Sequence, residues 1–107
     1  SISRQNEIKQ ASINAQKSDR LNLLKGMYAD AIRIRNSARI DFLKEAENLK
    51  QARNAEEILL KNYETGTIDF NEILDIQELQ LRFNRNQVDA IMRYYKQVAI
   101  INYLTSK

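Results

Sequence analysis

The chain of 107 residues has no histidine, cysteine, tryptophan or proline, and it has only two glycines. Without histidine and cysteine it lacks the most common general base, the strongest thiol nucleophile and the usual ligands of structural zinc. Gly26 and Gly66 are too far apart to form a glycine-rich phosphate loop. We therefore expect a protein that is not an enzyme and that has no catalytic residue, cofactor or metal site.

Glycine and proline are scarce, with two glycines and no proline, although a compact mixed fold needs turn residues at many chain reversals. Good helix formers such as Ala, Gln, Lys, Arg, Glu and Leu dominate instead. This composition predicts an all-α fold, a long antiparallel helical hairpin with coiled-coil-like packing and with one long and one shorter helix. The predicted bounds are about 3–64 for the first helix, about 65–69 for the tip turn and about 70–105 for the second helix.

A single reversal is indicated near residue 66. Gly66 suits the left-handed conformation that commonly ends a helix. Asp69 is the predicted N-cap residue of the second helix. Glu72, three residues later, is predicted to complete a capping box in which its side chain reaches the Asp69 backbone N–H. Because the first helix ends and the second begins within a few residues, the two helices are predicted to fold back on each other.

Each predicted helix has apolar residues on two adjoining faces, which indicates neighbours on more than one side. In the first helix a coiled-coil-like stripe is formed by Leu24, Tyr28, Ala31, Arg35, Ala38, Phe42, Glu45, Leu49, Ala52, Glu56, Leu59 and Tyr63. In the second helix the two stripes are Phe70, Leu74, Leu81, Val88, Ile91, Tyr95 and Val98, and Ile73, Ile76, Phe83, Ala90, Tyr94 and Ile101. Ion pairs at i,i+4 are predicted for Glu57–Lys61, Glu78–Arg82 and Asp89–Arg93.

The net charge is +3, from 17 basic and 14 acidic residues that are interspersed along the chain. Nucleic-acid binding usually needs a basic patch, and Arg33, Arg35 and Arg39 fall on several helix faces, so we expect no nucleic-acid partner. No apolar run approaches the ~18 residues of a membrane-spanning helix, so we do not expect the chain to insert into a membrane. A start without methionine indicates a piece of a longer protein.

Several short motifs resemble those of TolC-type outer-membrane efflux proteins, which carry a Tyr-x-x-Gly-Thr turn followed by a Leu-Asp helix opening. Here the turn reads Tyr63-Glu64-Thr65-Gly66-Thr67, followed by Leu74-Asp75. Residues similar to the family's long helix are Asn6–Ala11, Ala46, Ala52 and Ala55. Residues similar to its returning helix are Val88-Asp89-Ala90, Tyr94-Tyr95 and Asn102-Tyr103-Leu104. The matching unit is the second of the family's two periplasmic helical hairpins.

The resemblance implies a segment of the periplasmic helical tunnel of a trimeric outer-membrane channel. It implies a periplasmic location for this segment, a homotrimer in the full-length protein, and a periplasmic adaptor protein and an inner-membrane transporter as partners. It also implies that the adaptor contacts the tip, at Thr65, Gly66, Thr67, Ile68 and Phe70.

Three more roles follow from the resemblance. Glu72 and Asp75 match positions that line the periplasmic entrance as acidic rings, and Tyr63 matches a tyrosine that helps to close the entrance. The i,i+3 spacing of the two acids agrees, because it places both carboxylates on one helix face. The simpler alternative is that Glu72 completes the cap and that Asp75 is a solvated acid favoured by the helix dipole. Ile68 stands where some members of the family have a basic residue.

Two other interpretations stay open, the helical hairpin of a periplasmic adaptor protein and a purely structural coiled-coil arm. The arms of an adaptor hairpin are usually near equal, whereas the two helices predicted here are unequal. A purely structural arm needs one apolar seam, whereas two apolar faces are predicted for each helix. On its own, we expect the chain to self-associate or to be marginally stable, because one hairpin cannot bury all of these faces.

Overall fold

The computed structural model describes residues 1–106, which form two helices, α1 (Ile2–Glu64) and α2 (Phe70–Thr105). They fold back on each other into a rod of 95 × 22 × 13 Å. No strand occurs in residues 1–106. The predicted all-α hairpin with one long and one shorter helix is therefore confirmed. α1 has 63 residues and passes through Gly26 without a break.

A heptad-spaced seam joins the two helices. On α1 its buried and half-buried members are Ala31, Arg35, Ala38, Phe42, Glu45, Leu49, Ala52, Glu56 and Leu59. On α2 they are Ile73, Ile76, Gln80, Phe83, Gln87, Ala90, Tyr94, Gln97, Ile101 and Leu104. The α1 side is the stripe that the spacing predicts, and the α2 side contains the second of the two stripes predicted for that helix. Both sets repeat with the period of a coiled coil.

Small side chains form the tightest part of the seam. Ala38 and Ala90 are completely buried, and Ile73 is the only large side chain among the described residues that is almost fully enclosed, with 1% of its surface exposed. Alanine leaves space for the opposing helix to approach closely, but it removes little apolar surface from water. The hairpin therefore has a thin core, and much of its apolar surface lies outside that core.

Polar side chains interrupt the seam. Gln97 is buried, and Glu45 and Gln80 each have one buried side-chain atom, Oε2 and Nε2 respectively, without a hydrogen-bond partner. Seam glutamines escaped the sequence analysis because the stripes were traced mainly through apolar residues. Polar residues at seam positions cost stability but disfavour other registers of the two helices.

About the first 27 residues of α1 have no α2 residue beside them. The rings of Tyr63 and Phe70 lie together at the tip, and Asp41 pairs with Arg93 further along the rod. Extending this register places the end of α2 level with about residue 28 of α1. Every residue from 1 to 30 is exposed. We call residues 2–27 the overhang, a single helix about 39 Å long.

Two ion pairs occur among the described residues, Asp30–Arg33 at 3.7 Å within α1 and Asp41–Arg93 at 3.1 Å between the helices. The prediction of the pairs Glu57–Lys61, Glu78–Arg82 and Asp89–Arg93 was wrong, because none of them lies within the 4.0 Å of an ion pair. Arg93 is level with Asp41 of the neighbouring helix. Its guanidinium Nη1 donates to Asp41 Oδ2 at 3.1 Å instead of pairing along its own helix.

Candidate functional site: the hairpin tip

The end of α1 is a Schellman motif centred on Gly66. Gly66 has a φ of 76°, the left-handed conformation that the sequence predicts for it. Its backbone N–H donates to the Tyr63 carbonyl at 2.9 Å, and the Thr67 N–H donates to the Asn62 carbonyl at 3.0 Å. These two bonds satisfy carbonyls that the end of a helix otherwise leaves without partners.

Both tip threonines strengthen the same motif through their side chains. Thr65 Oγ1 and Thr67 Oγ1 donate to the Asn62 carbonyl at 2.9 and 2.8 Å, so this one oxygen accepts three hydrogen bonds. The two hydroxyls lie 3.3 Å apart. Asn62 was missed by the sequence analysis, because its role depends on its backbone oxygen and not on its side chain. The threonines assigned to adaptor contact thus hold the turn itself.

The start of α2 differs from the prediction. Asp69 is the N-cap residue, but its side chain makes no capping hydrogen bond. Its Oδ2 instead accepts a hydrogen bond from the side-chain amide of Asn71 at 3.2 Å. Its backbone carbonyl accepts a hydrogen bond from the Glu72 N–H at 3.1 Å. The predicted capping box between Asp69 and Glu72 is therefore wrong. The Glu72 side chain is left free to extend from the first turn.

Two aromatic rings bridge the turn. The centroids of Tyr63 and Phe70 lie 5.6 Å apart, and the ring planes are inclined by 53°. This distance is within the range of favourable tilted aromatic pairs. Both side chains stay exposed, and Ile68 between them along the chain is half-buried. The structure thus brings together two residues that the sequence analysis assigned to different roles, entrance closing for Tyr63 and adaptor contact for Phe70.

Glu72 and Asp75 lie on the same side of α2, where they border a shallow depression that is also lined by Leu59, Ile76 and Leu79. Both carboxylates are exposed. They belong to a larger group of charges, because residues 56–78 contain seven acidic residues and one basic residue, Lys61. We call residues 56–78 the acidic tip.

Away from the tip, α2 leaves one apolar face uncovered. Its members are Phe70, Leu74, Leu81, Val88, Ile91 and Tyr95, and we call this set the outer α2 face. Leu81 and Tyr95 are 63% and 62% exposed. Next to Leu43 of α1 the face deepens into a groove of about 240 Å³, in which the rings of Tyr94 and Tyr95 meet edge to face at 5.4 Å.

Comparison of the chain with protein-family models, with curated proteins and with solved structures found no match. Neither helix, over the residues described, has an apolar stretch long enough to cross a membrane. Within residues 1–106, no group of three or more acidic side chains is arranged to hold a metal ion.

Proposed function

We propose that this chain is a wall segment of the periplasmic tunnel of a trimeric outer-membrane efflux channel of the TolC type, and that its tip docks on a periplasmic adaptor protein. The observation that carries the proposal is the outer α2 face, an apolar stripe that the hairpin leaves exposed along its length. A helix in a tunnel wall needs apolar faces toward neighbours on both sides, whereas an isolated two-helix arm needs only its seam.

Helix lengths favour this proposal over the hairpin of an adaptor protein. α1 has 63 residues and α2 has 36, so the arms are far from equal. The overhang also exposes apolar side chains, among them Ile8, Leu21 and Leu24. In a tunnel wall these side chains would pack on another helix of the same channel, whereas a free arm would leave them in water.

In the proposed channel, Glu72 and Asp75 line the entrance. Three subunits would bring six carboxylates together there, and rings of acidic side chains attract cations and repel anions. Glu72→Gln combined with Asp75→Asn should lower the cation selectivity of the intact channel, measured as a reversal potential in planar bilayers. Glu78→Gln removes one charge from an exposed position further along α2 and serves as the control. Equal selectivity in both variants would contradict the assignment.

Adaptor docking is tested most cleanly at Ile68, because this half-buried side chain takes no part in the hydrogen bonds of the turn. Ile68→Asp should abolish cross-linking of the intact channel to its adaptor and should stop efflux, while trimer formation and helix content are unchanged. Ile40→Asp makes the same exchange at an exposed position on the body of the rod and should leave cross-linking intact. Thr67 is unsuitable, since its hydroxyl holds the turn. Normal cross-linking and efflux in the Ile68→Asp channel would refute tip docking.

A further inference from the structure

Charge is distributed unevenly along the rod. The overhang carries five basic and two acidic residues: Arg4, Lys9, Lys17, Arg20 and Lys25, against Glu7 and Asp19. The acidic tip, at the opposite end of the 95 Å rod, carries seven acidic residues and one basic residue. One end is therefore basic and the other strongly acidic, and each end also exposes apolar side chains.

We propose that two copies of this chain associate side by side in antiparallel orientation, so that the overhang of each lies along the tip half of the other. The partner that covers the outer α2 face is then a second copy of the chain. Such a two-fold interface is self-complementary, so both overhangs are covered at once. The inference concerns the chain on its own, outside any channel, and does not depend on the proposed function.

Near the free end of the overhang, apolar and charged side chains match in this arrangement. When two rods overlap fully, α1 of one copy runs parallel to α2 of the other, because the hairpin reverses the chain. With a rise of about 1.5 Å per residue and the tip near residue 67, Ile8 comes roughly level with Leu74 and Lys9 roughly level with Asp75. Ile8 and Leu74 are both exposed in the single chain. The interface thus pairs an apolar contact with a neighbouring opposite-charge contact.

A parallel dimer would bury the same faces but would place like charges together. Overhang would lie beside overhang, and the acidic tip of one copy beside the acidic tip of the other. Exposed charges interact strongly only within a Debye length, about 8 Å at physiological ionic strength, so charges in lateral contact decide the orientation. Electrostatic complementarity of this kind selects register and orientation more than it sets affinity.

The absence of cysteine allows a direct test, since a single introduced cysteine is the only site that a spin label can modify. With Ser12→Cys, an antiparallel dimer should give a label separation of about 66 Å along the rod, whereas a parallel dimer should give a short one. Ser37→Cys, near the middle of the rod, should give a short distance in either orientation and shows that a dimer is present. Pulsed electron–electron double resonance measures both label separations. A short distance at Ser12 would overturn the proposal.

The sign of a charge effect gives an independent test. Replacing Arg4 and Lys9 together by Gln should weaken the antiparallel dimer about fivefold, because these are the basic residues that come level with the acidic tip, and four exposed charge contacts of a few tenths of a kcal/mol are lost per dimer. The same change would strengthen a parallel dimer by removing repulsion. Sedimentation equilibrium of the full chain measures the dissociation constant, and circular dichroism shows that helix content is kept. A tighter dimer, a trimer, or a monomer at all concentrations would each refute the proposal.

Discussion

Gly66→Ala should destabilise the hairpin through its backbone alone. A methyl group added at Gly66 would meet no atom within 4 Å, so the exchange causes no clash. The left-handed φ of 76° is what alanine resists, and this conformation costs a residue with a Cβ atom about 1–2 kcal/mol. Alanine also restricts the unfolded chain, which offsets part of this cost. We therefore expect the free energy of unfolding to fall by about 1 kcal/mol.

Gly26→Ala is the matched control, because it makes the same exchange inside α1. A methyl group at Gly26 also meets no atom within 4 Å, and the residue is helical. Alanine is favoured over glycine in a helix interior by about 0.8–1.0 kcal/mol. Gly26→Ala should thus raise helix content in and near the overhang, whereas Gly66→Ala should lower the stability of the hairpin.

Urea titration followed by circular dichroism at 222 nm measures both variants, at one fixed protein concentration because association adds to apparent stability. With a denaturant dependence of about 1–3 kcal/mol/M, the loss at Gly66 should shift the unfolding midpoint down by about 0.3–1 M. Gly66→Asn should lose less, since asparagine tolerates the left-handed conformation. An unchanged midpoint for Gly66→Ala would refute the left-handed turn, and a destabilising Gly26→Ala would show that a neighbour packs closely there.

Ile73→Ala should lower the free energy of unfolding by about 2–5 kcal/mol because its side chain is almost fully buried, whereas Leu81→Ala on the exposed outer α2 face should change it by about 0.5 kcal/mol or less. Urea titration compares the two variants. Equal losses of unfolding free energy would mean that the Ile73 side of α2 is not the side that faces α1. A double-mutant cycle on Asp41 and Arg93 should give a coupling of about 0.2–1 kcal/mol that disappears near 1 M salt; coupling that persists there would contradict a half-exposed pair. Gln80→Leu should raise the thermal midpoint, because it removes a buried amide nitrogen that has no partner. A lower midpoint would mean that the amide has a partner in solution.

Local chemistry made most of the fold predictable. Gly66 is the only residue near the reversal that enters the left-handed region without strain, and the long segments before and after the turn are rich in good helix formers. The heptad spacing of Ala31, Ala38 and Ala52 then indicated which side of α1 meets α2. Each of these signals acts within a few residues, which is why sequence alone was sufficient for them.

Interactions that depend on competition or on distant residues were not predictable in the same way. Asp69 had an alternative partner two residues away, the amide of Asn71, and the spacing of a capping box does not show which partner wins. Arg93 pairs with a residue 52 positions away, whereas an i,i+4 rule considers one helix only. Which of the two apolar stripes of α2 faces α1 depends on the rotation of that helix about its axis. The docking, entrance and closing roles of the tip residues stay predictions.

The register of the seam also implies an order in which the two helices of one chain come together during folding. Pairs across the hairpin are separated by few residues at the tip, as for Tyr63 and Phe70, and by 52 residues at Asp41 and Arg93. Each pair that forms brings the next pair within reach, so the loop-closure entropy is lost in small steps from the tip outward. The hairpin should zip closed from Gly66 toward the overhang and should open from Leu104 first. Substitutions at the tip should then mainly slow folding, while those near Leu104 should mainly speed unfolding.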